Sequence, residues 1–137
     1  MRTKGIIYEK CKAFSLEIIA LCNELRDKGE YLMSKQILKS GTSIGANYCE
    51  ALGAESPMDF IHKVAISLKE ANETEYWLAV LTDLYPMHGI IERLRLESLE
   101  LLKLFQSILG SSRENVRKKK SGLKEIQSIK KRGNLNP

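Results

Sequence analysis

Ser40-Gly41-Thr42-Ser43-Ile44-Gly45-Ala46-Asn47 sits at the centre of a block running from about Tyr31 to Leu52. Propensity alone would break a helix here, since each internal glycine costs about 1 kcal/mol relative to alanine. The apolar period does not break. Leu38, Gly41, Gly45, Tyr48 and Leu52 follow one another at helical spacing, with Ile37 and Ile44 beside them. The block therefore reads as one helix, and its small residues as a place where another helix comes close.

Three further blocks surround it. Ile7, Cys11, Phe14, Ile18, Leu21 and Leu25 step by 4, 3, 4, 3 and 4, the seam of a helix packed nearly parallel to a neighbour, with Gly29 as its stop. Gly53 is placed to take a left-handed position after the second block. Ser56, Pro57 and Asp59 then read as N-cap, first helical residue and third, close to a capping box. The third block runs from Pro57 to about Tyr85 along a stripe of Phe60, Val64, Ser67, Ala71, Thr74, Leu78 and Leu81. Pro86-Met87-His88-Gly89 ends it. A fourth begins near Ile90 and carries Ile91, Leu94, Ser98, Leu101 or Leu102, Phe105 and Ile108. No alternating strand pattern of any length is present. Four amphipathic helices of about 20 to 28 residues with short loops make an all-α, antiparallel up-down four-helix bundle over residues 1–112.

After Gly110-Ser111-Ser112 the pattern thins to Val116, Leu123, Ile126 and Ile129, with Gly122 among them. Residues 113–137 are expected to form a basic C-terminal arm that is mobile or partly helical. The formal net charge of +5 is unevenly spread. Residues 1–112 hold 13 Lys and Arg against 15 Asp and Glu, whereas residues 113–137 hold 9 against 2. Such asymmetry points to an anionic partner, nucleic acid first and an anionic membrane surface second. The candidate phosphate contacts are Arg113, Arg117, Lys118, Lys119, Lys120, Lys124, Lys130, Lys131 and Arg132. The arm carries no aromatic residue, so it offers backbone contacts and little sequence discrimination. The competing reading is a solubilising tail.

Other classes have little support. At 137 residues the chain is one domain with room for its own core. No apolar run approaches the 18 or so residues of a membrane span, and Met1-Arg2-Thr3-Lys4-Gly5 is not followed by the apolar core of a signal peptide. A cytoplasmic location is expected. Cys11, Cys22 and Cys49 cannot all pair, none lies in a C-x-x-C, and they read as small apolar side chains. A di-iron bundle needs two E-x-x-H motifs; this chain has two histidines and one D-x-x-H, Asp59 to His62. Ser40, Ser43 and Cys49 have no histidine in their block, and Gly41-Thr42-Ser43-Ile44-Gly45 lies within a helix and is no phosphate loop. No enzyme activity, metal or cofactor is expected. Asn47 and Glu50 share a helix face, for hydrogen bonding between helices or for a ligand.

Ser40, Ser43-Ile44, Ala46-Asn47 and Glu50-Ala51 resemble the S-x-x-S-I-x-x-N-x-x-E-[GA] signature of the four helix bundle protein family, also called the S23 or rRNA intervening-sequence protein family. Ser56-Pro57-Met58-Asp59-Phe60-Ile61, continuing through Ser67 and Glu70, is similar to the family's next motif. Glu73-Thr74-Glu75-Tyr76-Trp77-Leu78 is similar to its E-T-x-[YF]-W-L segment. The resemblance covers roughly residues 8–110. It implies a four-helix bundle that assembles with itself into a homopentameric ring. In one branch it implies a gene inside an intervening sequence of bacterial 23S rRNA. In another it implies an accessory protein of diversity-generating retroelements, which binds nucleic acid and a reverse transcriptase. Ser40, Gly41, Ser43, Gly45, Asn47 and Glu50 match the pattern by type and look like packing or assembly determinants. Many relatives carry an arginine just after the Glu-Gly/Ala step, where this chain has Ala54-Glu55. The expected function is a non-enzymatic ring that binds structured nucleic acid, RNA or an RNA–DNA hybrid, through basic residues, with RNA expected before DNA. The alternative is a scaffold for another polypeptide.

Overall fold

The computed structural model describes residues 4–133. It has four helices: α1 (Ile6–Asp27), α2 (Tyr31–Leu52), α3 (Pro57–Leu84) and α4 (Gly89–Gly133). Connections of three or four residues force each helix to run back along the one before it. Sequential helices pack side by side, and α1 returns to α4 along the thinnest seam. The result is the antiparallel up-down bundle that the apolar spacing requires.

The helix ends follow local chemistry. The Ser56 hydroxyl accepts from the Asp59 backbone N–H at 3.1 Å, and the Asp59 carboxylate accepts from the Glu55 N–H at 3.3 Å. The reciprocal box therefore closes one residue ahead of the N-cap. At the end of α1, Gly29 takes φ +85°, letting the Glu30 N–H reach the Leu25 carbonyl at 2.9 Å. Gly53 does not take the left-handed position expected of it. Its φ is −99°, and its N–H closes a short turn on the Glu50 carbonyl.

The core is one cluster. Phe14, Ile18 and Leu21 of α1 meet Ile37, Ile44 and Tyr48 of α2, Val64, Leu78 and Leu81 of α3, and Leu94, Leu101 and Phe105 of α4. Tyr48 and Phe105 pack edge to face across the centre, with ring centroids 5.6 Å apart. The small residues of α2 do what the apolar period demands of them. A Cβ on Gly41 would stand 3.0 Å from two carbons of Ile18, and one on Gly45 would stand 2.9 Å from the Cys11 Cβ. Close approach to α1 offsets the helix-propensity cost of both glycines.

α4 departs from the expectation for the C-terminal arm. It runs unbroken through Gly110 and Gly122 to Gly133. Leu109 is buried and Val116 packs against the core, so side-chain anchoring carries the helix past Gly110-Ser111-Ser112. Beyond it, Arg, Lys, Gln and Glu are all good helix formers. At about 1.5 Å per residue α4 is about 68 Å long, against about 33 Å for α1. Residues 117–133 therefore leave the bundle as a solitary helix about 25 Å long, exposed except at Gly122. The last four residues of the basic segment, 134–137, lie outside the described residues.

Candidate nucleic-acid interface

A helical extension sorts its residues by spacing, and the nine candidate cations fall on three faces. Arg113, Arg117, Lys120, Lys124 and Lys131 follow at intervals of 4, 3, 4 and 7, which is one stripe about 27 Å long. All five are exposed. Val116, Lys119, Leu123, Ile126 and Lys130 follow at 3, 4, 3 and 4 and form a mixed apolar face beside it, bordered by Ile129. Lys118 and Arg132 share the third face with Glu114 and Glu125. Arg117 also reaches Glu114, one turn back, and the Arg132 guanidinium donates to the Ser128 hydroxyl at 3.2 Å. The structure thus brings five of the nine cations into one row and separates the other four from it.

The signature residues of α2 divide between the bundle interior and its surface. Ser40 and Gly41 are buried, and Gly45 lies against α1. Ser43 and Asn47 are half-buried, and Glu50 is exposed and reaches α3. The Asn47 amide donates to the Ser43 carbonyl at 2.9 Å, and the Lys63 ammonium donates to the Glu50 carboxylate at 2.7 Å. That hydrogen bond holds the Lys63 pKa above its ordinary value. A pair this exposed contributes little to stability.

Several ties between helices have no sequence signal, because spacing does not name a partner on another helix. The Ser34 hydroxyl donates to the Cys22 carbonyl at 3.1 Å, while the Cys22 thiol donates to the Ser34 carbonyl at 3.3 Å. The Ser67 hydroxyl donates to the Ile44 carbonyl at 2.9 Å. Glu75 accepts from Arg95 at 3.1 Å and from Ser98 at 3.0 Å. At the loop end, the Tyr85 hydroxyl donates to Glu30 at 2.9 Å. His88 accepts from the Ile91 N–H through Nδ1, so its Nε2 carries the proton donated to Glu24 at 2.8 Å. That hydrogen bond holds the Glu24 carboxyl below its ordinary range.

The clefts are open and chemically plain. The α1–α4 seam has one of about 200 Å³ lined by Lys10, Phe14, Glu17, Glu97, Glu100 and Leu101, and a shallower one of about 520 Å³ lies beside Gly5, Ile6, Glu9 and Ala13. Lys10 pairs with Glu100, and Arg93 stands 3.5 Å from Glu17 and 3.9 Å from Glu97. Burial, then the hydrogen bond with Glu17, raises the Glu97 pKa. Among the described residues no set of three His, Cys, Asp or Glu stands close enough to hold a metal ion. No helix described is long and apolar enough to cross a membrane. Burial pushes the Cys11 thiol up to about 11, far from a nucleophile's range.

The family model described as 23S rRNA-intervening sequence protein matches residues 3–107. The chain belongs to this family. A crystal structure of a protein of unknown function from the S23 ribosomal protein family of Bacteroides thetaiotaomicron VPI-5482 matches with a TM-score of 0.72. The two are 45% identical over 76% of this chain and 98% of the other. No curated protein matches. The family match ends at residue 107, ahead of the basic segment. The bundle is thus family property, and the cationic extension of α4 lies beyond it.

Proposed function

We propose that this chain is a non-enzymatic bundle that binds structured nucleic acid through its phosphates, RNA in preference to DNA, along the α4 extension. The observation that carries the reading is the row of five exposed cations on a helix that projects free of the bundle. A row of Lys and Arg along one helix face suits the regular phosphates of a folded strand or duplex. The extension has no aromatic side chain for stacking on single-stranded bases. The family's description, naming an rRNA-intervening sequence, supports RNA. Homopentameric assembly and service to a retroelement reverse transcriptase belong to the same proposal and rest on the resemblance in residues 40–78. In a ring, several extensions would act together and raise avidity.

The test is a salt titration with structured RNA and with duplex DNA. Five engaged phosphates on a duplex give a log–log slope of about −4.5. Replacing Arg117, Lys120 and Lys124 together by Gln should bring it to about −1.8. An unchanged slope, or no binding at low salt, overturns the reading. The exposed apolar face with Leu123 and Ile126 favours a second reading, a scaffold for another polypeptide. Its mark is capture that resists salt.

A further inference from the structure

α4 outlasts the helices it packs against. α2 stops at Leu52 and α3 starts at Pro57, so the bundle ends at the α2–α3 turn, while α4 continues to Gly133. The seam that α4 buries at Phe105 and Leu109 does not end with it. From Leu109, the residues Ser112, Val116, Lys119, Leu123, Ile126 and Lys130 follow at 3, 4, 3, 4, 3 and 4. That is the spacing of a coiled-coil seam, carried past the last helix able to cover it. Burial falls away along it: Leu109 is buried, Val116 is half-buried, and Leu123 and Ile126 are 59% and 51% exposed. At the foot of the extension a cleft of about 210 Å³ opens between α3 and α4, lined by Pro57, Phe60, Val116 and Lys119. The bundle end beside it exposes Leu52 and Met58.

We propose that this corner receives one helix of a different polypeptide, apolar along a single seam and acidic on its flanks. The position of the seam selects the class of partner. Leu123 continues the core-facing line of α4, so the bundle itself stands on that side. It holds a flat bilayer away from the stripe, whereas a single helix about 10 Å across fits between the bundle end and the extension. The stripe is also narrow, as in a coiled-coil seam and unlike the broad apolar face of a helix lying in a lipid interface. Lys119 and Lys130 fall within it. Covered by a partner, their ammoniums need carboxylates across from them. The two glutamates of the basic segment, Glu114 and Glu125, lie on another face and supply none. Glu55 and Asp59 at the α2–α3 turn confine the acidic match to the flanks along the extension. A solitary helix of this length is marginal in water and gains most from a packed face. The five-cation row lies about a third of a turn around α4, so helix docking and phosphate binding use different faces. The proposal rests on the scaffold reading and not on nucleic-acid binding.

The probe is a synthetic peptide of about three heptads, with leucine at the seam positions and glutamate on the flanks. It is labelled for fluorescence anisotropy and titrated with the full chain. The controls are a scramble of the same composition and the same seam flanked by lysine. Leu123→Gln with Ile126→Gln removes the seam at exposed positions, and helical circular dichroism checks the fold. The acidic peptide should bind and keep measurable binding at high salt. The double variant should lose about tenfold or more in affinity for it, and its salt slope on RNA should match wild type because the cation row is untouched. A scramble that binds as tightly as the seam peptide overturns the proposal, as does a double variant that binds like wild type. Binding of the lysine-flanked peptide alone overturns the acidic partner and leaves the scaffold reading standing; binding of neither peptide removes both. Phosphatidylserine vesicles that capture wild type but not the variant would assign the face to a bilayer. A light-scattering mass that falls in the variant would assign it to a second copy. Either result overturns the proposal.

Discussion

Replacing Gly45 with alanine puts a methyl group where α1 already stands. The new carbon would lie 2.9 Å from the Cys11 Cβ and 3.6 Å from the Cys11 carbonyl carbon. The nearer atom is bonded directly to the α1 backbone, so no side-chain rotation relieves the contact. α1 must move away by a few tenths of an ångström, along a helix whose other contacts with α2 are already made. Overpacking of this kind costs about 1–3 kcal/mol. Alanine returns about 1 kcal/mol in helix propensity. Because the Cys11 Cβ is fixed to its backbone, the strain falls in the upper half of its range, leaving a net loss of about 1–2 kcal/mol. At this chain length that lowers Tm by about 3–8 °C. Gly110→Ala is the control: nothing stands within 4 Å of its new methyl, so it should gain about 1 kcal/mol. Cys11→Ala should not rescue Gly45→Ala, because alanine keeps the offending Cβ. Urea unfolding followed by circular dichroism at fixed protein concentration reads all three. Gly45→Ala behaving like Gly110→Ala would refute close approach as the reason for glycine at 45.

Ser67→Ala should cost about 1 kcal/mol in the same assay, through loss of the buried hydroxyl bond to the Ile44 carbonyl between α2 and α3. Glu97 titrates above its ordinary value of 4.5 in the folded state, so its contribution to stability is complete below that pH and is lost as pH rises through the raised value. Thermal melts of the wild type should show that decline, and Glu97→Gln should flatten it; an unchanged profile would remove the Glu17–Glu97 contact from the account. Cys49 is half-buried while Cys11 and Cys22 are buried, so a thiol reagent on the native protein should modify Cys49 first. Peptide mass mapping shows the order, and early labelling of Cys11 would contradict the α1–α2 packing.

The bundle was legible in the sequence because apolar spacing is a local property. A run such as Ile7, Cys11, Phe14, Ile18 or Phe60, Val64, Ser67, Ala71 fixes both helix and buried face before any neighbour is known. Short loops then leave antiparallel packing as the arrangement open to four such helices. Ser56, Pro57 and Asp59 announced the start of α3 for the same local reason. Gly53 misled because glycine permits the left-handed conformation without requiring it, and the α2–α3 turn closes at negative φ.

The candidate interface was half legible. Composition located the basic segment and named its nine cations. It did not give their geometry, since Gly110 and Gly122 argued locally against a continuous helix. Continuity came from Leu109 and Val116, whose burial against other helices is a tertiary fact. Once α4 is unbroken, a 3.6-residue turn sets Arg113, Arg117, Lys120, Lys124 and Lys131 in a row and turns Lys118 and Arg132 away. Residue type and spacing thus determined the four helices, most of their buried positions and the sign of the charge at one end; in α2 the expected stripe was offset, since Leu38 and Leu52 are exposed and Ile37, Ser40, Ile44 and Ala51 are buried. Only the tertiary structure decided which helices touch, why Gly45 must stay small against Cys11, and that the charge is carried on a continuous helix that projects beyond the bundle. Those relations join residues far apart in the chain, where local spacing carries no information.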